Sequence, residues 1–329
     1  MNDAQVIRNV VAEAVYADQV GVDFFGVGEH HRDDFAVSAP EVVLAAIATQ
    51  TGRIRLGSAV TVLSSDDPVR VYQRFATLDA VSNGRAEVIL GRGSFTESFP
   101  LFGYPLHQYE ELFNEKLELF VALRREQPVT WSGNTRAGLN NQQVYPRTQY
   151  AAIPTWVGVG GNPESVVRAA RYGLPLMMAI IGGESHRFRP LVELYQRSLT
   201  QFGHDPLPVG VHSPGHIAAT DEAARDQLWP HWQAIYNRIG SERGWPPVTQ
   251  RDFLAAASQT GALYVGSPET VSQKIAATVS TLSLSRFDMK YSSATLPHDL
   301  MLESIHLYGT EVAPRVRELV HERASQSVG

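Results

Sequence analysis

The chain has 329 residues, of which 43% are hydrophobic, a formal net charge of −6 at pH 7 and no cysteine. Charges of both signs are interspersed without a long basic run, which disfavours binding to nucleic acids and to anionic membranes. The lack of cysteine excludes disulfides, thiolate metal sites and a cysteine nucleophile. No apolar run approaches the roughly 18 residues of a membrane span and no signal peptide is recognisable, so we expect a soluble, cytoplasmic enzyme.

Short apolar runs alternate with helical patterns along the chain, as in proteins built from βα units around a parallel sheet. We predict strands near residues 24–28, 54–62, 86–90, 155–159, 176–181, 209–218 and 287–291. We predict helices over residues 3–20, 40–51, 69–81, 109–124, 163–172, 184–202, 221–239 and 268–282, with a last helix from about residue 299.

This order of elements predicts an α/β fold, and specifically a (β/α)8 TIM barrel in a single domain over residues 1–329. Only seven strands are clear and a helix precedes all of them, so we expect the first barrel strand to be absent from this chain or replaced by another segment. Two long excursions, at about 91–153 and 220–262, fit substrate lids or subunit contacts as well as they fit plain surface segments.

The end of the first predicted strand carries candidate acid–base groups. Glu29, His30 and His31 follow the apolar run Phe24–Gly28. Side chains alternate along a strand, so Glu29 and His31 point one way and His30 the other. In parallel α/β folds the carboxyl ends of strands carry the chemistry, and an imidazole there can exchange a proton near neutral pH.

Two glycine-rich turns after strands are candidate phosphate sites. In the first, Arg92 lies between two glycines and can bind an anion through its guanidinium, although an arginine that braces a loop by ion pairing is the favoured explanation when this turn is taken alone. In the second, Gly160 and Gly161 precede Asn162, which suits the N-cap of a helix that begins at Pro163. The amino end of that helix offers N–H donors to a phosphate, and a capped βα turn without ligand is the alternative.

Other kinds of site find less support in the sequence. His30 and His31 cannot face one metal from a straight strand, and the spacing of His212 and His216 matches no ligand pattern, so we expect no metal site. There is no Gly-x-Ser-x-Gly nucleophile elbow. Paired carboxylates for glycoside hydrolysis would have to come from Glu29 with Asp66 or Asp67, which leaves that chemistry weakly supported.

Taken in order, these segments resemble the bacterial luciferase-like flavin-dependent monooxygenases. The resemblance extends from about residue 3 to residue 183 and is looser beyond, although the turn at 266–269 is again similar. The matching segments are Gly28-Glu29-His30-His31, residues 56–63, 66–70, 84–87 and 91–93, and residues 157–165 leading to 173–175.

The resemblance implies a (β/α)8 barrel that binds FMN at the carboxyl ends of its strands, usually as a homodimer. It assigns His30 as the catalytic base, with Glu29 and His31 as its neighbours. The implied cofactor-binding residues are Ala59 and Val60 beneath the isoalloxazine ring, where the family often has a non-proline cis peptide, and Arg92, Gly160, Gly161, Asn162 and Ser165 at the phosphate.

The function implied is that of a two-component monooxygenase. A separate flavin reductase would supply reduced FMN, which reacts with O2 to form a flavin hydroperoxide that oxidises a small organic substrate. Glu110 stands near the position of a second phosphate-binding arginine of the luciferases, so FMN could act as a transient substrate. Two alternatives stay open, a deazaflavin-dependent oxidoreductase that transfers hydride and a flavin-binding protein without turnover. The sequence does not identify the organic substrate.

Overall fold

The computed structural model describes residues 2–293 and 295–326. It divides into two compact units. The first comprises the chain up to Asp18 together with Asp23–Gly158, and the second comprises Gln19–Val22 together with the chain from Val159 onward. Among the residues described, no helix combines the length and the apolar character needed to cross a membrane.

The first part of the chain alternates helices with strands. Its elements are α1 (Asp3–Gln19), β1 (Phe24–Val27), α2 (Pro40–Ala48), β2 (Arg55–Val62), α3 (Pro68–Val81), β3 (Ala86–Gly91), α4 (Ser98–Leu101), α5 (Tyr109–Leu123), β4 (Val129–Trp131), β5 (Leu139–Gln142) and β6 (Thr155–Val159).

Strands β1, β2, β3 and β6 form a parallel sheet in that order. All six residues of β3 are buried, as expected for a parallel strand with both faces covered. Because these strands run in the same direction, their carboxyl ends lie at one edge, where the segments after β1, β2 and β3 emerge. Strands β4 and β5 form a separate antiparallel pair.

The second part of the chain repeats the alternation. Its elements are α6 (Pro163–Arg171), β7 (Leu176–Ala179), α7 (Arg189–Gln201), β8 (Val209–Ile217), α8 (Asp221–Arg243), α9 (Gln250–Ala257), β9 (Tyr264–Gly266), α10 (Pro268–Leu282), β10 (Arg286–Lys290), α11 (His298–Leu307) and α12 (Ala313–Gln326).

Strands β7, β8 and β10 are parallel neighbours, and β9 pairs with the last residues of β8. One face of β10 is apolar. Phe287 and Met289 pack with Tyr264 and Ile275 in a cluster that joins this face to helices α10 and α12. The alternate residues of β10 therefore point away from these helices.

A buried lysine fixes the connection between α9 and β9. Lys274, which is 3% exposed, donates to the carbonyl oxygens of Ser258 at 2.6 Å and Leu263 at 2.7 Å, and more weakly to Ala257 at 3.4 Å. Burial lowers the pKa of its amine to about 7. Its three N–H donors are thus all used by the backbone.

The sequence predicted seven of these strands, and all seven are confirmed. It missed β4, β5 and β9, which have three or four residues each, and the short helices α4 and α9. The excursion at 91–153 contains α4, α5 and the β4–β5 pair, and that at 220–262 contains α8 and α9. In the described part of the chain, α1 precedes the first strand, β1.

Candidate functional site

Glu29 and His31 contact each other just beyond β1, as strand alternation predicts. Glu29 Oε1 lies 2.9 Å from His31 Nε2, and Glu29 Oε2 accepts a hydrogen bond of 2.8 Å from the backbone N–H of Val62. A carboxylate only accepts, so His31 Nε2 carries the proton in this contact. Glu29 is 9% exposed, and it ties His31 to the end of β2.

His30 points to the other side, into an aromatic setting. Its ring stacks on Phe35, with centroids 3.9 Å apart, and meets the edge of Phe95 at 5.6 Å. A Cβ atom on Gly28 would lie 3.3 Å from His30 Nε2 and 3.4 Å from the carbonyl oxygen of Ala59. The imidazole therefore approaches the end of β1 where β2 passes Ala59.

The Ala59–Val60 peptide bond is cis, as the family resemblance implied. The pairing of β2 with β3 shifts here, since Ala59 pairs with Ile89 and Thr61 with Leu90, so that Val60 bulges from the ladder. The Val60 side chain occupies space above two glycines. Cβ atoms on Gly91 and Gly158 would lie 2.5 and 3.0 Å from its methyl groups.

Arg92 follows β3, whose neighbour in the sheet is β6. Its guanidinium forms an ion pair with Glu110 at the start of α5 and lies 5.1 Å from the ring centroid of Tyr109. The Arg92 side chain is 20% exposed and that of Glu110 48%. A phosphate that binds Arg92 would have to compete with this carboxylate, so the assigned role of Arg92 stays a prediction.

The second glycine turn lies in the other unit. A Cβ on Gly160 would meet no atom within 4 Å, and Gly161 adopts a φ of +115°, which favours glycine. Asn162 caps α6, since its side chain accepts from the backbone N–H of Glu164 at 2.8 Å. The turn thus presents open backbone next to a helix amino end, which is a geometry that suits a phosphate.

Ser165 is buried in the first turn of α6, and Arg168 lies beside it. Arg168 Nη1 is 3.4 Å from Ser165 Oγ. This cation was not predicted from the sequence, although a position three residues further along the same helix places it on the same face. It is a second positive group that could compensate a phosphate at this turn.

The aromatic residues after Arg92 divide into two groups. Phe95 contacts His30, and Phe102 meets the ring of His31 edge-on at 5.0 Å. Phe99 is fully buried and stacks on Tyr109, and Tyr104 lies 3.6 Å from the ammonium of Lys116. Two of the five, Phe95 and Phe102, thus border the histidines, and the other three pack within the fold.

Sequence reasoning also missed Arg32, which holds this aromatic group in place. Its guanidinium pairs with Asp34 at 2.9 Å and with Glu97 at 2.6 Å, and it lies 4.4 Å from the centroid of Phe95. The signal available was the Arg-Asp-Asp-Phe run at 32–35, in which an arginine and an acid two residues apart flank an aromatic residue.

The carboxylates that a glycoside hydrolase would need are engaged in structural contacts. Asp66 pairs with Arg74, while Asp67 caps α3 and pairs with Arg136 at 2.8 Å. Arg74 also pairs at 3.2 Å with the buried Glu41. Burial raises the pKa of the Glu41 carboxyl, and the charge of Arg74 opposes that rise.

The two histidines of β8 lie in different settings. His216 is fully buried and its Nε2 lies 2.7 Å from the side-chain oxygen of Gln227 on α8. His212 lies beside charged residues of β10. Within residues 2–293 and 295–326, no group of three or more histidines and carboxylates is placed to hold a metal ion.

With this geometry in place, comparison with known proteins identifies the family. Residues 1–284 match the model of the luciferase-like monooxygenases. The chain belongs to this family, as its sequence motifs indicated.

Two curated relatives match part of the chain. It is 33% identical to the N-acetyl-S-alkylcysteine monooxygenase of Bacillus subtilis (strain 168), with 67% of the chain and 63% of the relative covered. It is 29% identical to the uncharacterized protein y4vJ of Sinorhizobium fredii, with 55% of the chain and 51% of the relative covered. The chain therefore spans between half and two thirds of the length of these two relatives.

Solved structures share the fold at low sequence identity. Monooxygenase RslO1 from Streptomyces bottropensis matches with a TM-score of 0.84 and 22% identity over 95% of this chain and 94% of that one. A second match is the oxygenating constituent of 3,6-diketocamphane monooxygenase from Pseudomonas putida, a type II Baeyer–Villiger monooxygenase in complex with FMN. Its TM-score is 0.78 and its identity 20%, over 96% of this chain and 94% of that one. The coenzyme F420-dependent tetrahydromethanopterin reductase from Methanopyrus kandleri matches with a TM-score of 0.73 and 18% identity over 96% of each chain. The fold is thus of the luciferase-like TIM-barrel type.

Proposed function

We propose that this chain is a flavin-dependent monooxygenase that uses reduced FMN and O2 to oxidise a small organic substrate. The observation that carries the proposal is that His30 and the Ala59 carbonyl both lie beside Gly28, at the cis peptide on which the family resemblance places the flavin ring. The FMN bound to the diketocamphane monooxygenase constituent supports this choice of cofactor.

The family resemblance assigns roles in cofactor binding to residues of each unit. Ala59 and Val60 are partly exposed at the bulge of β2 and would contact the ring. The turn at Gly160 and Gly161 would receive the phosphate beside the amino end of α6, where the helix dipole favours an anion. When bound, the reduced flavin supplies two electrons, so that one oxygen atom of O2 enters the product and the other leaves as water.

The side chains of the chain itself would manage protons and exclude water. His30 Nε2 would accept a proton and return it during turnover, because an imidazole exchanges protons near neutral pH. Phe35 and Phe95 hold its ring between apolar surfaces. Glu29 is committed to His31 and to the backbone of β2, so its role would be to position His31 rather than to react.

Anaerobic titration of the purified chain with reduced FMN and, in parallel, with reduced deazaflavin would test the proposal. We expect reduced FMN to bind, and admission of O2 with a panel of candidate substrates to yield an oxygenated product with consumption of one O2 per product. Binding of deazaflavin without FMN would move the chain to hydride transfer. FMN binding without turnover of any candidate would favour a flavin-binding protein, and binding of neither cofactor would refute the proposal.

Hydride transfer with a deazaflavin is the second candidate, because the F420-dependent reductase from Methanopyrus kandleri shares the fold. The Glu-His-His triplet at 29–31 favours the FMN branch, since deazaflavin members of the superfamily more often carry Asp-His there. A separate flavin reductase as partner, a homodimeric assembly and a cytoplasmic location belong to the FMN proposal and are supported by the family resemblance.

A further inference from the structure

A group of charged side chains on β8 and β10 has no role in the function proposed above. The face of β10 that points away from α10 and α12 carries Arg286, Asp288 and Lys290 at alternate positions. In the parallel pairing with β8, His212 lies opposite Asp288, so its ring shares this face. Neighbouring strands lie roughly 4.8 Å apart, which brings the four side chains together.

Arg286 and Asp288, the first two charged residues of this group, form an ion pair without net charge. The Arg286 guanidinium binds Asp288 through two contacts, of 2.8 and 2.9 Å, and the two side chains are 15% and 13% exposed. Burial raises the pKa of Asp288, while the charge of Arg286 opposes that rise. A bidentate pair of this kind satisfies both ions and leaves no net charge.

Lys290, at the carboxyl end of β10, adds a charge that this pair does not balance. Among the residues described, its Nζ donates a single hydrogen bond, of 2.6 Å, to the carbonyl oxygen of Ser292. Burial lowers its pKa to about 8. Lys274 shows what a purely structural lysine does in this fold, since all its donors reach backbone carbonyls. Two of the three N–H donors of the Lys290 ammonium therefore have no partner among the described residues.

His212 is the neutral member of the group. Burial, and then the charges of Lys290 and Arg286, lower the pKa of its imidazole to about 4. The imidazole makes no hydrogen bond to any residue that the structure describes, and as a neutral ring it has one donor and one acceptor to offer. An ammonium with spare donors and an imidazole with a spare N–H would together suit a planar anion.

We infer that Lys290 and His212 form a subsite that binds a carboxylate group of the organic substrate. The inference rests on the proposed function, because only an enzyme has a substrate to bind. The subsite itself consists of side chains from one unit. It places the anion at the carboxyl end of a barrel strand, the edge at which ligands of this fold bind. The substrate class is then a small organic acid whose carboxylate is held while another part of the molecule is oxidised.

Binding of benzoate to the flavin-free full chain, measured by calorimetry, tests the subsite without any turnover. We expect Lys290→Met to weaken binding at least about tenfold, because it removes the charge and both donors while keeping the length of the side chain. Lys290→Arg should stay within about threefold of the unsubstituted chain, since it keeps the charge. The matched control is Arg189→Met, which removes an exposed charge on α7.

A second measurement reads Lys290 itself. The sequence has three lysines, so expression with ¹³C-labelled lysine gives three side-chain Cε signals in NMR spectra and leaves every amine unmodified, and Lys290→Met assigns the signal of Lys290. We expect benzoate to raise the pKa of Lys290 by at least about half a unit, because a nearby anion favours the charged amine. The signals of Lys116 and Lys274 should not move.

Equal affinity of benzoate for the unsubstituted chain and Lys290→Met, or an unmoved Lys290 signal at saturation, would overturn the inference. Competition by FMN but not by riboflavin would overturn it in another way, because the site would then hold the flavin phosphate. FMN binding is measured separately on the unsubstituted chain. Its failure refutes the proposed cofactor, whereas the benzoate experiment, which contains no flavin, still decides on the subsite.

Discussion

Glu110→Gln should tighten the binding of FMN. In the structure the Glu110 carboxylate pairs with Arg92, the arginine that the family resemblance assigns to the flavin phosphate. A bound phosphate would therefore lose part of its attraction to Arg92 and would also meet a neighbouring negative charge. Removing the charge of Glu110 relieves both effects while leaving the size of the side chain unchanged.

The expected magnitude follows from the exposure of the pair. With Glu110 about half exposed and Arg92 one fifth exposed, solvent screens the interaction, and pairs of this kind contribute about 0.2–1 kcal/mol. Relief of the repulsion adds a term of similar size. The sum of roughly 0.4–2 kcal/mol corresponds to a Kd for FMN lower by a factor of about 2–30.

Anaerobic fluorescence titrations with FMN and riboflavin measure this effect. Riboflavin lacks the phosphate, so its affinity should be the same for Glu110→Gln and the unsubstituted chain. The matched control is Glu111→Gln, which removes an equal charge one residue further along α5, where the carboxylate accepts a hydrogen bond from Asn134. Unchanged or weaker FMN binding in Glu110→Gln, or an equal gain with riboflavin, would refute a phosphate site at Arg92.

Three further predictions concern the rest of the site and the fold. His30→Ala should lower turnover by about 10²–10⁴-fold with unchanged FMN affinity, and steady-state rates near those of the parent would exclude a proton-transfer role. Gly91→Ala should cost about 1–3 kcal/mol in urea unfolding because its Cβ would lie 2.5 Å from Val60 Cγ2, whereas Gly52→Ala, which meets no atom within 4 Å, should be nearly neutral. The pKa of Asp18 is lowered, because hydrogen bonds from backbone N–H groups outweigh the effect of its partial burial. Its carboxylate therefore stabilises the fold above the unfolded pKa of about 3.9, and this stability is lost as pH falls through the lower pKa of the folded state. Asp18→Asn should therefore lower the Tm at pH 7, with a difference that shrinks below about pH 4; a difference independent of pH would contradict this.

The sequence predicted what depends on local rules. Strand alternation placed Glu29 with His31 and turned His30 away, since the period of two holds wherever the backbone is extended. The cap of α6 by Asn162 follows from a side chain that reaches N–H groups two residues ahead. The cis bond at Ala59–Val60 came from the family resemblance, because no propensity of Ala or Val indicates it.

Contacts between segments that are distant along the chain could not be predicted from the sequence. The start of α5 at Tyr109 was predicted, but its pairing of Glu110 with Arg92 depends on the path of the intervening chain, which includes α4, and no residue pattern gives that path. The stacking of Phe35 on His30 depends on the path of a loop between β1 and α2. The β4–β5 pair was missed because β5 is the polar run Leu-Asn-Asn-Gln, which lacks the apolar alternation typical of a half-buried strand.

Most of the lysine amines of this protein lie inside the fold. Two of the three, Lys116 and Lys274, are 1% and 3% exposed, and only Lys290 is partly exposed. Most positive charges on the outside are therefore carried by arginine. An amine-directed label consequently reads the interior of the molecule: modification of Lys290 reports on the face of β10, and modification of Lys116 or Lys274 counts openings of the folded units in which they are enclosed.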